Sequence, residues 1–118
     1  MGKGSAGLLA MGAVLMVAGC KSAPPLTPEE AVGQHMYAVR CAHCHEENDL
    51  ALKPPPPSLH NIAEQKMLPN GGPATDAAIA RVVVEGKNKM PSFAGRFTDA
   101  QMAGLIAYLR TSMPAEKK

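Results

Sequence analysis

Cys41-Ala42-His43-Cys44-His45 sets two thiols three residues apart and an imidazole directly behind the second. On a helix end, sulfurs at that spacing point to the same side, and the next residue is carried toward the same centre. This C-x-x-C-H pattern is the attachment signature of a c-type haem: the thiols add to neighbouring vinyl groups and His45 supplies an axial iron ligand. Other chemistries that use paired cysteines lack their partners here. A thioredoxin-type pair wants a βαβ setting, and no alternating apolar run suggests a sheet. Structural zinc wants four ligands, and no second paired cluster accompanies Cys41 and Cys44. A disulfide closing this small loop would leave His45 without a role.

Working outward, Thr27-Pro28-Glu29-Glu30 combines an N-cap, a proline at the first helical position and a capping-box acid. It opens a helix through Val39 and toward Cys44. A short helix is expected after Ser58. Thr75-Asp76 opens another, with Ile79, Val82 and Val83 on one face and Gly86 as its stop. Thr98 with Gln101 forms a second capping box, and Phe97 with Met102 a hydrophobic staple, for a last helix through Arg110. Met102, Leu105, Ile106 and Leu109 share a face of that helix. Leu50 to Gly72 is loop-rich, with prolines at 54 to 57 and an Asn70-Gly71 turn. The fold class expected is all-α.

Over residues 30 to 112 the chain resembles the class I monohaem cytochromes c. The motif lies at the end of the first helix, Gly33 and Tyr37 match the small and aromatic pair where the first helix crosses the last, and Tyr108 matches the aromatic across that crossing. The resemblance implies three to five helices around one covalently attached haem. Pro57-Ser58-Leu59 resembles the family's Pro-x-Leu segment, whose proline carbonyl accepts a hydrogen bond from the ligating histidine and so fixes its tautomer. The run Pro54 to Pro57 is longer than the family's pattern and Asn61 stands where glycine is common, so which proline serves is left open; Pro57 is the candidate.

The sixth iron ligand comes from a methionine, a histidine or nothing. Met36 and His35 share a helix with Cys41 and His43 is inside the motif, so none easily reaches the opposite haem face. Met102 falls on an apolar stripe and Met113 in a tail. Gly86-Lys87-Asn88-Lys89-Met90-Pro91-Ser92-Phe93 resembles the family's distal loop, and a loop methionine backed by proline can be held rigidly against iron. Met90 is the candidate, with Met67 and His60 as alternatives.

The N-terminus is of another kind. Lys3 is the only charge before Cys20, and Ala6 to Ala18 forms an apolar stretch of thirteen residues, about 20 Å as a helix against a hydrocarbon core of about 30 Å. Residues 1–19 therefore read as a secretory signal peptide rather than a membrane span or a buried helix. Val17-Ala18-Gly19-Cys20 resembles the lipobox of bacterial lipoproteins, which implies cleavage before Cys20 and lipidation of its sulfur; a signal peptidase site elsewhere would leave Cys20 a free thiol or an intermolecular disulfide. Residues 20–27 form a lipidated tether, with Pro24-Pro25 barring a helix. Residues 28–113 form the cytochrome c domain and 114–118 a tail.

At 118 residues the chain has room for one domain, and its formal charge of +2 gives no nucleic-acid footprint. Two Tyr, two Phe and no Trp leave the core short of bulk that haem c (iron), one per chain, can supply. With both axial positions filled and no spare acid, base or nucleophile, the expectation is a one-electron carrier and not an enzyme. A methionine ligand raises the potential and suits an oxidising part of a respiratory-type chain. Expected partners are membrane-bound redox proteins, met at the periplasmic side of a bacterial membrane to which Cys20 anchors the chain, as a monomer or a subunit of a larger complex. Lys87 and Lys89, with Lys53 and Arg96 nearby, either steer an acidic partner to the haem edge or belong to an ordinary solvated loop. The alternatives are a haem subunit of a membrane dehydrogenase or oxidase, and a peroxidase or gas-binding protein with a labile methionine.

Overall fold

In the computed structural model, residues 23–113 are described, together with Gly2 and Gly19. The rest of the expected signal segment, Cys20 with the two residues after it, and the 114–118 tail lie outside the described residues. Helix α1, Pro28–Arg40, starts where Thr27 accepts from the Glu30 amide at 3.2 Å while Glu30 accepts from the Thr27 amide at 2.7 Å. Such a reciprocal cap stabilises a helix end by about 1 kcal/mol. Cys41 is the C-cap of α1 and the short α2, Ala42–His45, follows at once, so the motif stands at the end of the first helix as expected, with a break in the helix at its first cysteine.

Helix α3, Asp76–Glu85, begins at the Thr75 cap and stops at Gly86 (φ 71°). Helix α4, Asp99–Ala107, carries the Thr98–Gln101 capping box and runs into a π-helical segment, Tyr108–Ser112. Among the described residues there is no strand, only isolated bridges at Met67–Pro73 and Lys87–Met90.

One expected element is absent. Residues 59–64 form turns, with the Ile62 amide on Leu59 O at 3.2 Å and the Glu64 amide on Asn61 O at 3.0 Å. Asn61 has a φ of 59°, a conformation that interrupts a right-handed helix. Asparagine suits this position because its short polar side chain tolerates the left-handed region.

The domain closes where α1 crosses α4. A Cβ on Gly33 would stand 1.8 Å from the Gly104 carbonyl oxygen, and one on Gly104 2.7 Å from the Glu29 carbonyl, so the two backbones touch. Beside this crossing the rings of Tyr37 and Tyr108 lie 5.7 Å apart at 50°, a contact worth about 0.5–1.5 kcal/mol beyond burial. Leu105 and Leu109 of the last helix are buried against Ile79 and Val83 of α3, while Met102 and Ile106 are half-buried.

Candidate functional site

Aliphatic packing against α4 is incomplete, and the remaining space is a cavity of about 500 Å³. Ile62, Leu68, Ile79, Val83, Leu105 and Leu109 give it an apolar wall. Cys41, Cys44 and His45 line one part, the prolines 54 to 57 another, and Met90 with Phe93 a third. Among the described residues, His45 is the one histidine and Met90 the one methionine on this wall.

His45 is oriented by the loop opposite it. Its Nδ1 lies 2.7 Å from Pro57 O. A carbonyl accepts only, so Nδ1 carries the proton and donates, which leaves Nε2 of the neutral ring with a free lone pair. Of the four consecutive prolines, Pro57 is the one that makes this bond. Before any haem is attached, burial pushes the free Cys41 thiol up to about 11, helped by Cys44 nearby.

Met90 is presented by a loop with several attachments. Gly86 turns the chain at the end of α3, and Lys87 and Met90 pair across a tight reversal, Met90 N on Lys87 O at 2.8 Å and Lys87 N on Met90 O at 3.1 Å, with Asn88 at φ 53°. Ser92 Oγ donates to Val84 O at 2.6 Å and the Phe93 amide to Val83 O at 3.1 Å, which hold the loop back onto α3. At its tip, Lys89 Nζ donates to Lys53 O at 3.0 Å, tying this wall to the proline segment.

The alternatives lie elsewhere. Met67 is 57% exposed and sits at the bridge to Pro73. The His60 Nε2 lies 3.4 Å from Glu46 Oε1, off the cavity. Met36 is buried on α1, and Met102 and Met113 pack against the core without reaching the wall. Lys87 and Lys89 line the cavity as the loop suggested; Arg96 does not, whereas Arg40 does. Sequence reasoning missed Arg40, Gly104 and the contact of Tyr37 with Glu46, where the phenol donates to Oε1 at 2.9 Å. Burial first, then that bond, pushes the Tyr37 phenol well above its ordinary value.

The donor set fits a covalently attached haem. Two thiols, an imidazole with its nitrogen lone pair free and a thioether surround one apolar slot, and they arrive from two separate segments.

Comparison with known proteins gives concordant findings. Residues 28–109 match the family described as "Cytochrome C oxidase, cbb3-type, subunit III". Cytochrome c6 of Picosynechococcus sp. (strain ATCC 27264 / PCC 7002 / PR-6) is 32% identical over 89 residues, 73% of this chain and 75% of that protein. Cytochrome c6 of Synechococcus elongatus is 32% identical over 79 residues, 67% of this chain and 85% of that protein. Among solved structures, cytochrome c6 from the diatom Phaeodactylum tricornutum matches with a TM-score of 0.52 at 29% identity, covering 68% of this chain and 88% of that one.

Proposed function

We infer the function from one premise: the chain belongs to the class I c-type cytochromes, as the family match over residues 28–109 and the cytochrome c6 relatives together show. It is an electron carrier with one covalently attached c-type haem and redox partners, and not an enzyme. We propose that Cys41 and Cys44 carry the thioether bonds and that His45 and Met90 are the axial ligands. The haem supplies one-electron exchange between ferric and ferrous iron.

Everything else is done by this chain's own residues. Pro57 holds the His45 ring in one tautomer through Nδ1. Gly86 and the Lys87–Met90 pairing hold the thioether on a rigid loop. The aliphatic wall keeps water from the cavity between His45 and Met90, where a haem held by those residues would be largely desolvated. The observation that carries this reading is that His45 and Met90, alone of their residue types among the described residues, line the same apolar cavity as both motif cysteines.

We further propose that residues 1–19 are a lipoprotein signal peptide, 20–27 a tether lipidated at Cys20, 28–113 the haem domain and 114–118 a tail. The resemblance of Val17-Ala18-Gly19-Cys20 to a lipobox supports this. The carrier then works at the periplasmic side of a bacterial membrane, in a respiratory-type chain. The matched family's description favours a second reading, a haem subunit of a membrane oxidase.

A redox titration of the matured protein tests the carrier function, with a single n = 1 transition expected and a two-electron or non-Nernstian response contradicting it. Fractionation tests the anchor: the protein stays with membranes through a high-salt wash and partitions into detergent, and Cys20→Ser abolishes both. Release of the wild-type protein by salt alone contradicts anchoring. Stoichiometric copurification with larger chains from mild detergent selects the oxidase-subunit reading over a free carrier.

A further inference from the structure

His45 is followed in the chain by Glu46, whose Oε1 takes two contacts: the Tyr37 hydroxyl at 2.9 Å and the His60 Nε2 at 3.4 Å. Tyr37 is buried on α1, and a buried phenol left without an acceptor costs about 1–3 kcal/mol. His60 lies in the turn that begins just after Pro57, the acceptor of His45 Nδ1. Two neighbouring residues, His45 and Glu46, thus grip two residues of one facing segment, Pro57 and His60. Leu59 and Ile62 anchor the same segment in the apolar core, and the Glu46 contact adds a polar hold between Pro57 and Ile62. The Tyr37 bond fixes the carboxylate to α1 and so sets where the second grip stands.

We propose that Glu46 is a positioning residue that holds the Pro57 carbonyl against His45 Nδ1. The proposal rests on the reading of His45 as an axial ligand, and it extends that reading to a side chain that touches neither haem nor iron. Glu46 also brings the turn at residues 59–64, where no regular helix supports the chain, into register with α2. Loss of the Glu46 contact loosens the 57–60 segment on its Leu59 and Ile62 anchors and lets water reach the His45 Nδ1–H more often, while the α1–α4 crossing keeps the rest of the domain intact.

The test uses the full-length ferrous holoprotein, with nuclear magnetic resonance reading solvent exchange of the His45 Nδ1–H. Glu46→Ala is expected to speed that exchange about ten-fold, equal to about 1.4 kcal/mol. The Leu105 backbone amide serves as the reference for global opening, which the unpaired Tyr37 phenol itself speeds in Glu46→Ala, so the ten-fold is read beyond the change at Leu105. Glu46→Gln keeps an acceptor oxygen without the charge and is expected to restore slow exchange. Unchanged exchange in Glu46→Ala overturns the proposal, as does equal acceleration in Glu46→Gln, which would make the effect one of charge. Acceleration of the His45 Nδ1–H no greater than that of Leu105 overturns it as well, since it marks a merely structural role. Should the wild-type His45 ring show no resonance shifted by the haem, the ligand reading itself falls, and the proposal with it.

Discussion

Gly86→Ala tests how the Met90 loop is held. Gly86 has φ 71° and ψ 174°, a region that residues with a Cβ scarcely enter, at a cost of about 1–3 kcal/mol. The new Cβ would also stand 2.6 Å from Met90 O and 2.7 Å from Pro91 C, both backbone atoms that cannot rotate away. Reaching ordinary contact requires a retreat of about 0.8 Å by the segment that carries the thioether. Overpacking of this kind costs about 1–3 kcal/mol, and loop movement relieves part of both penalties together, so the expected total is about 3 kcal/mol. For a domain of this size that lowers the melting temperature by roughly 12–24 °C. Gly95 is the internal control, since it has φ 70° but nothing within 4 Å of the place a Cβ would take; Gly95→Ala bears only the backbone strain. Thermal unfolding of both holoproteins, followed by circular dichroism, reads the difference. A Gly86→Ala protein that melts no lower than Gly95→Ala would refute the close-contact explanation.

Gly33→Ala is expected to lower the melting temperature at least as much, because its Cβ would fall 1.8 Å from Gly104 O, and to weaken the near-ultraviolet signal of the Tyr37–Tyr108 pair; a melting point within a few degrees of wild type contradicts the backbone crossing. Mass spectrometry of the denatured protein should show haem still attached to the wild-type chain, and to chains with either Cys41→Ala or Cys44→Ala alone, but not to the double variant. Haem lost from the denatured wild type contradicts attachment at these thiols.

Much of this arrangement is legible from local chemistry. Both capping boxes, the stop at Gly86 and the apolar stripe of the last helix depend on residues close in sequence, and the structure carries each of them. The motif and the distal loop are equally local, so their residues could be singled out before it was known that one cavity joins them. What escaped depends on contacts across distance or on single backbone torsions. The break at Cys41 carries no proline or glycine to mark it. Asn61 turns the chain where helical propensity alone allowed a helix. Gly104 looks like an ordinary helix glycine until α1 lies on it. Glu46 meets Tyr37 and His60 only because the helix breaks and the proline loop returns, and neither event is visible from residue spacing.

Axial ligation by His45 and Met90 is the centre of the proposed function, and optical spectroscopy of ligand variants tests it most directly. The ferric wild-type protein and Met67→Ala should both show the sulfur-to-iron charge-transfer band. Met90→Ala should lack it and, once reduced, should bind carbon monoxide as the wild type does not. A band that survives in Met90→Ala, or one that disappears in Met67→Ala instead, would contradict the assignment.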